Sequence, residues 1–270
     1  TFQNFDMLRP RIIPCLLIYK DALVKTVKFK DQKYIGDPIN AVKIFNEKKA
    51  DELIVLDIGA TTHSMEPNFN LIEKLAAECR MPLCYGGGVT SVKQVTQLVD
   101  MGVEKVAVSA AAIKKPSLVK ELVSAVGSQS IVVILDLFKT KSTFSEKYEI
   151  RSHNANISYS EDPFSVIKFF QESGVGEIVI NSIDKDGLMQ GYDLGLASKV
   201  KSLAKVPITF LGGAGSLKHI EELISHFDIV GAAAGSLFVF KGKYKAVLIN
   251  YPTNKQKIDL FTNTTNNEKI

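Results

Sequence analysis

Ile208-Thr209-Phe210-Leu211-Gly212-Gly213-Ala214-Gly215 is an apolar run of strand character that breaks into two glycines, an alanine and a third glycine. It reads as a strand feeding a tight turn that opens a helix. Glycine tolerates positive φ and lets a ligand approach the main chain, so such a turn at a strand end suits phosphate oxygens. A plain structural turn would use the same residues. What gives the stretch weight is its repetition: Leu83-Cys84-Tyr85-Gly86-Gly87-Gly88 has the same shape about 127 residues earlier, the spacing of a duplicated half-barrel. Two more pairs keep nearly that offset. Glu52 to Ile58 (ELIVLDI) matches Glu177 to Asp184 (EIVINSID), and Lys105 to Ala112 (KVAVSAAA) matches Ile229 to Ser236 (IVGAAAGS).

Around these repeats, short apolar strands alternate with amphipathic helices. Expected strands are Ile12 to Ile18, Glu52 to Asp57, Leu83 to Tyr85, Lys105 to Val108, Ile131 to Leu137, Glu177 to Asn181, Ile208 to Leu211 and Ile229 to Ala233. Expected helices fall between them, and several begin with a side chain suited to an N-cap, such as Asp37 before Pro38. Lys20 to Gly36, with five lysines and no helical period, reads as a long exposed loop. Phe138 to Ile157 alternates polar and apolar residues and reads as a β-hairpin inserted after the fifth strand. The fold class is therefore α/β, a single (β/α)8 TIM barrel over residues 8–251. A doubly wound open sheet is the alternative, and the twofold repeat disfavours it. Residues 1–7 and 252–270 read as flexible ends, the latter polar and rich in Asn and Thr. Met7 is a candidate native start, which would make residues 1–6 an addition.

Composition excludes several function classes. A chain of 270 residues that is 46% apolar can bury a sizeable core without a second domain. The net charge of +4 is mild and the two signs are interspersed, so a nucleic-acid partner is not indicated. Three cysteines, Cys15, Cys79 and Cys84, lack CxxC spacing and suggest neither a disulfide framework nor a metal site. Reduced thiols fit a cytoplasmic protein, and no apolar run approaches the roughly 18 residues of a membrane span. No cofactor is indicated.

A TIM barrel carries its chemistry at the carboxyl ends of its strands, which selects Leu17, Asp57, Gly88, Ser109, Asp136, Asp184, Asp186, Gly213 and Ser236. Asp136 ends the apolar strand IVVILD, where poor solvation would raise its pKa towards that of a proton-transfer group. A structural, hydrogen-bonding Asp is the plainer reading. Asp184-Lys185-Asp186-Gly187 could be a cap and turn, or with Gly213 and Ser236 part of an anion cradle. Two cradles, one per half, would suit a substrate with phosphate at both ends.

Several motifs together carry a family resemblance: Arg11-Ile12-Ile13-Pro14-Cys15-Leu16, Gly36-Asp37-Pro38, Tyr85-Gly86-Gly87-Gly88, Ser182-Ile183-Asp184-Lys185-Asp186-Gly187, Gly191-Tyr192-Asp193 and Gly212-Gly213-Ala214-Gly215. Over roughly Leu8 to Phe240 the chain resembles HisF, the cyclase subunit of imidazole glycerol phosphate synthase. The resemblance implies an ammonia-using barrel that docks a HisH-type glutaminase on its amino-terminal face and acts on a phosphorylated small molecule. It assigns the catalytic acid/base to Asp136 and a mobile-loop lysine to Lys25. Phosphate contacts fall on Gly88 and Ser109 in one half, and on Asp186, Gly187, Gly213, Gly235 and Ser236 in the other. The ammonia gate corresponds to Arg11, Glu52, Lys105 and Glu177, all present; a purely structural ion-pair plug would use the same four.

One family feature is missing. The partner carboxylate on the first strand is replaced by Leu17, and a leucine cannot carry a proton. Ser109-Ala110 stands in place of Asn-Thr, Gly235 in place of an alanine, and Leu188 and Leu211 in place of hydroxyl residues. Retention of the gate without the catalytic pair resembles the HisF paralogues associated with glycosyl amidation. That likeness implies ammonia delivery to an ATP-dependent sugar amidotransferase, converting an acetamido to an acetamidino sugar for surface polysaccharide. The alternatives are the cyclase of histidine biosynthesis and the related isomerase of the same pathway. Leu17 counts against the isomerase equally.

Overall fold

The computed structural model describes residues 9–140 and 146–265. Residues 1–7 and 266–270 of the expected ends, Met7 among them, and residues 141–145 of the expected hairpin insertion lie outside the described residues. In chain order the first half comprises β1 (Arg11–Tyr19), β2 (Ala22–Val27), β3 (Lys30–Gly36), α1 (Pro38–Glu47), β4 (Leu53–Asp57), α2 (Phe69–Glu78), β5 (Leu83–Gly86), α3 (Val92–Asp100), β6 (Lys105–Val108), α4 (Ala110–Lys114) and α5 (Ser117–Val126). The second comprises β7 (Ile131–Thr140), β8 (Lys147–Ser152), β9 (Ile157–Tyr159), α6 (Pro163–Glu172), β10 (Glu177–Ser182), α7 (Leu194–Lys201), β11 (Ile208–Leu211), α8 (Leu217–Phe227), β12 (Gly231–Ala234), α9 (Ser236–Val239), β13 (Phe240–Lys241), β14 (Ala246–Val247) and α10 (Asn254–Thr265).

β1, β4, β5, β6, β7, β10, β11 and β12 pair in parallel and close on themselves through β12–β1, giving the expected (β/α)8 barrel. Closure follows from side-chain alternation. Along β1, Ile13, Cys15 and Leu17 point into the lumen while Ile12, Leu16 and Ile18 pack under the helices. Strands buried on both faces read as continuous apolar runs, which is why they are conspicuous in the sequence. The helices start where the sequence supplies a cap. Asp37 accepts from the Asn40 N–H (2.8 Å) with Pro38 behind it, Asp162 accepts from Ser165 (2.9 Å) ahead of Pro163, and Ser91 and Gln94 form a capping box.

Two expectations are corrected. Lys20 to Gly36 is not a loop: β2 runs antiparallel to β1, and β3 to β2. Both connections are two-residue turns, Lys20-Asp21 (φ 50° and 62°) and Lys28-Phe29 (φ 50° and 64°). Such turns normally use Gly or Asn, so the strongest sequence signal for a hairpin is absent here. The expected hairpin after β7 is present as β8 and β9. The two hairpins follow the first strand of each half, so the internal duplication extends to them.

The second correction concerns the end of the chain. Pro252 onward is not loose as far as it is described, because α10 packs against α8 and supplies the barrel's last helix. Among its described side chains the buried stripe is Lys257, Leu260 and part of Phe261, too narrow to stand out in a polar segment. Lys257 donates to Asp51 (2.9 Å) and to the Lys49 carbonyl (3.1 Å). Tyr251, just before the helix, donates to the Ile12 carbonyl (2.8 Å) and accepts from the Asp51 N–H (3.1 Å). No helix among the described residues is long and apolar enough to cross a membrane. If α10 is part of the folded barrel, Leu260→Ala costs about 2–3 kcal/mol and lowers the melting temperature by roughly 5–10 °C. A melting curve unchanged by the substitution would mean that the helix is only loosely attached.

Candidate functional site

At the amino end of the barrel, four charged side chains close a ring. Arg11 bonds Glu52 through one guanidinium nitrogen and Glu177 through the other (2.8 Å); Lys105 bonds both glutamates, each at 2.8 Å. The chain places them at or just before the starts of β1, β4, β6 and β10, one layer of the barrel. Thr209, on β11, adds a hydroxyl donor to Glu177. Sequence reasoning missed Thr209, whose only signal is a polar residue inside an otherwise apolar strand. Both glutamates are almost wholly buried. Burial alone would raise the Glu177 carboxyl, but Arg11 and then Lys105 hold it at about 2. Burial likewise opposes the lysine's charge, and Glu177 with Glu52 more than restores it, so Lys105 lies above its ordinary value.

Above the ring the lumen is apolar, lined by Ile13, Cys15, Ile54, Cys84, Ala107, Val132, Val179 and Ala233 among others. Burial pushes the Cys15 thiol up to about 12 and Cys84 well above its usual range, so both behave as small apolar groups. The lumen ends under Leu17, Ile134 and Leu211, and these three also floor a cavity of about 640 Å³ at the carboxyl ends of the strands.

Asp136 stands in that cavity wall. Burial is the main cause lifting its carboxyl to about 7; a hydrogen bond from Asn181 (2.9 Å) opposes the shift and the Asp186 charge adds to it. Asn181 is its register neighbour on β10, and the Asn181 side-chain oxygen is buried without a partner. A carboxylic group half-protonated near neutrality can give or take a proton. Leu17 lines the same cavity, and the position offers no second proton carrier there. Asn181 was not singled out in the sequence, although a polar residue at the carboxyl end of EIVIN was the available signal.

Of the expected site residues, Lys25, Gly88, Ser109, Asp136, Asp186 and Gly235 come together around the cavity. Gly187, Gly213 and Ser236 are not among its lining. Asp57 also lines the cavity while accepting from Gly59 (2.8 Å) and Ala60 (3.0 Å), whereas Asp184, outside the lining, accepts from the Lys139 N–H (2.6 Å). Gly213 has a packing reason to be glycine. At φ 106° its missing Cβ would lie 2.1 Å from the Gly191 carbonyl oxygen, so the two loops can touch only through main chain. In the first half, the Gly88 N–H donates to the Thr61 hydroxyl (3.4 Å), and the buried Ser109 hydroxyl has no partner. The hairpin β8–β9 brings His153, Asn154 and Tyr159 to the cavity wall, Asn154 donating to the Ile58 carbonyl (3.1 Å), which the sequence gave no means of placing. Among the described residues no group of three or more His, Cys, Asp or Glu could hold a metal ion.

Comparison with known proteins gives a consistent result. The family described as "Histidine biosynthesis protein" matches residues 11–245. A Leptospira borgpetersenii protein provisionally named imidazole glycerol phosphate synthase subunit HisF is 54% identical, covering 94% of this chain and all of the relative. A Pseudomonas aeruginosa protein provisionally named subunit hisF2 is 45% identical over 94% of this chain and all of its own length. Subunit HisF of Francisella philomiragia, named without that reservation, is 35% identical over 86% of this chain and 90% of its own.

Two titrations test the site. Glu177 has a folded pKa below its unfolded value, so its contribution to stability is present above the ordinary carboxylate range and is lost as pH falls towards about 2. Glu177→Gln leaves two part-buried cations sharing Glu52 alone and should cost about 2–3 kcal/mol in urea unfolding at pH 7, below the full penalty for a stranded buried ion; a loss under about 1 kcal/mol would mean the ring is energetically idle. Asp136 has the opposite sign, its contribution being full below the unfolded pKa and lost as pH rises through about 7. Asp136→Asn should therefore stabilise the fold by about 1–2 kcal/mol at pH 8.5 and by clearly less at pH 5, allowing for partial access of water to the cavity. Equal effects at both pH values would remove the raised pKa.

Proposed function

This chain belongs to the histidine biosynthesis protein family as a HisF-type barrel, and on that premise we propose that it receives and conducts ammonia for a glutamine-amidotransferase complex rather than closing an imidazole ring itself. The observation that carries this is the contrast between the barrel's two ends. The charged ring of Arg11, Glu52, Lys105 and Glu177 is complete and an apolar lumen rises from it. At the other end, Leu17 occupies the position where ring closure needs a second carboxylate. Ammonia, small and neutral, passes an apolar lumen that excludes ions.

HisF proteins normally pair with a HisH-type glutaminase, and that subunit is the proposed ammonia source here. A groove of about 650 Å³ beside the ring, lined by Arg9, Lys49, Arg80, Lys257 and Phe261, supports an amino-terminal docking face. The proposed recipient is an ATP-dependent sugar amidotransferase that converts an acetamido to an acetamidino group for surface polysaccharide, in the cytoplasm. In this reading Asp136 and the glycine-lined cavity bind a phosphorylated sugar or persist as an inheritance of the fold.

A second reading is favoured by one observation. The Asp136 carboxyl, near 7, is suited to acid/base work, which supports the cyclase of histidine biosynthesis. That enzyme combines the phosphoribulosyl imidazolecarboxamide intermediate with ammonia to give imidazole glycerol phosphate and aminoimidazole carboxamide ribotide. Purified protein in excess ammonium at alkaline pH separates the two readings, because free ammonia replaces the glutaminase. The expected result is no turnover of that intermediate above background. Turnover by the unmodified chain overturns the conduit reading; turnover only after Leu17→Asp means that the pocket still fits the substrate and the leucine alone removed the chemistry.

A further inference from the structure

The chain's excess of positive charge is gathered on one patch of its surface. Lys28, Lys30 and Lys33 lie at the tip of the β2–β3 hairpin and along β3, and Lys241, Lys243 and Lys245 lie on the β13–β14 hairpin; all six are exposed. Asp31 is the single acid among residues 27–34 and 240–248, which leaves a local excess of five positive charges where the whole chain has a net charge of +4. The rest of the chain is therefore close to neutral. The two hairpins touch, because the Lys33 ammonium donates to the Lys245 carbonyl (3.4 Å) and sits over the Phe240 ring, 4.9 Å from its centroid. Among the described residues none of the six lysines is in an ion pair.

Apolar side chains stand in water among these charges. Tyr244 is 91% exposed between Lys243 and Lys245 in the turn that joins β13 to β14, and Val247 and Leu248 follow it at 45% and 49%. Tyr34, next to Lys33, is 67% exposed. Lysines on an edge strand keep other strands from pairing with it, and β3, bonded only to β2, is such an edge. That accounts for Lys30 and Lys33, but not for a bare tyrosine between two lysines on the other hairpin. None of these side chains lines either of the two cavities described above. A hairpin tip offers a folded partner no pocket, whereas it can enter a deformable interface. Tyrosine joins an apolar ring to a polar end, and lysine carries its charge on an apolar stem, so both suit the boundary between lipid headgroups and acyl chains.

We propose that the two hairpins form a membrane-docking surface, on which the six lysines meet anionic phospholipid headgroups while Tyr244 and Leu248 enter the interface. Attachment of this kind is peripheral and needs no spanning helix. Unpaired lysines close together add their attractions to an anionic leaflet, and the exposed tyrosine supplies a contact that salt does not screen. Lys25 and Thr26 of the same hairpin stay turned inward to Asp186, so docking uses only the outer part of the hairpin and leaves the cavity as it is. The inference goes beyond the conduit reading and does not depend on it.

Co-flotation with vesicles tests the inference. At low ionic strength the full chain should float with vesicles of phosphatidylglycerol and phosphatidylethanolamine at least ten-fold more than with phosphatidylcholine vesicles. Replacing Lys241, Lys243 and Lys245 together by Glu should remove that preference, whereas the same change of charge at Lys74, Lys120 and Lys168, exposed on the outer helices α2, α5 and α6, should leave most of it. Tyr244→Ser should weaken flotation at least three-fold at a salt concentration that screens the lysines. All these side chains are exposed, and a melting transition shared with the unmodified protein confirms that each variant is folded. Absence of flotation with anionic vesicles, or equal losses from the two triple replacements, would overturn the inference. So would flotation indifferent to Tyr244→Ser, which would assign the patch to an acidic protein or nucleic acid held by charge alone. The readout involves neither ammonia nor a partner subunit, so its failure leaves the conduit reading standing, and failure of the conduit assay leaves this test intact.

Discussion

The structure depends on one electrostatic arrangement, the closed ring of Arg11, Glu52, Lys105 and Glu177 at the amino end of the barrel. Two carboxylates nearly out of water survive only if each is matched, and here both part-buried cations bridge both anions. A barrel end plugged with leucine would have been as stable or more so, so stability alone does not account for the ring. Its geometry demands that the staggered starts of β1, β4, β6 and β10 meet across the amino end of the barrel, and from there the apolar lumen runs up to the cavity that holds Asp136.

The two ends of that lumen obey different physics. At the amino end, opposite charges hold one another ionised. At the carboxyl end, Asp136 has only Asn181 beside it and the like charge of Asp186 farther off, so burial raises its pKa instead of pairing it. Leu17 and Leu211 deepen that effect by making the floor of the cavity apolar. A single carboxyl of this kind is a proton reservoir without a counterpart, which is the chemical difference between this barrel and one with two opposed carboxylates.

The duplication of the half-barrel is structural rather than functional in its symmetry. Each half has its hairpin, yet β2–β3 folds inward onto Asp186 while β8–β9 brings His153, Asn154 and Tyr159 to the cavity wall. Equivalent positions in a duplicated chain diverge once one of them accepts a contact that the other cannot make, and Gly235 permits such a contact for Lys25.

The sequence determined the barrel by itself, because strands buried on both faces and capped helices leave a periodic signal, and the repeated glycine turns fixed the number of units. It also supplied the four ring charges and Asp136 through resemblance, since those positions are anchored by motifs. It did not reveal the β2–β3 hairpin, whose turn residues at Lys20-Asp21 and Lys28-Phe29 are not those that favour positive φ. Nor did it reveal α10, where Lys257 finds its ion-pair partner and Leu260 its burial only when Asp51 and α8 are brought beside the helix. Thr209 and Asn181 gained their partners from neighbouring strands. Local pattern encodes which face of an element is buried, whereas the partner of a buried polar group is set by chain segments far away in sequence, and only the tertiary structure decides that.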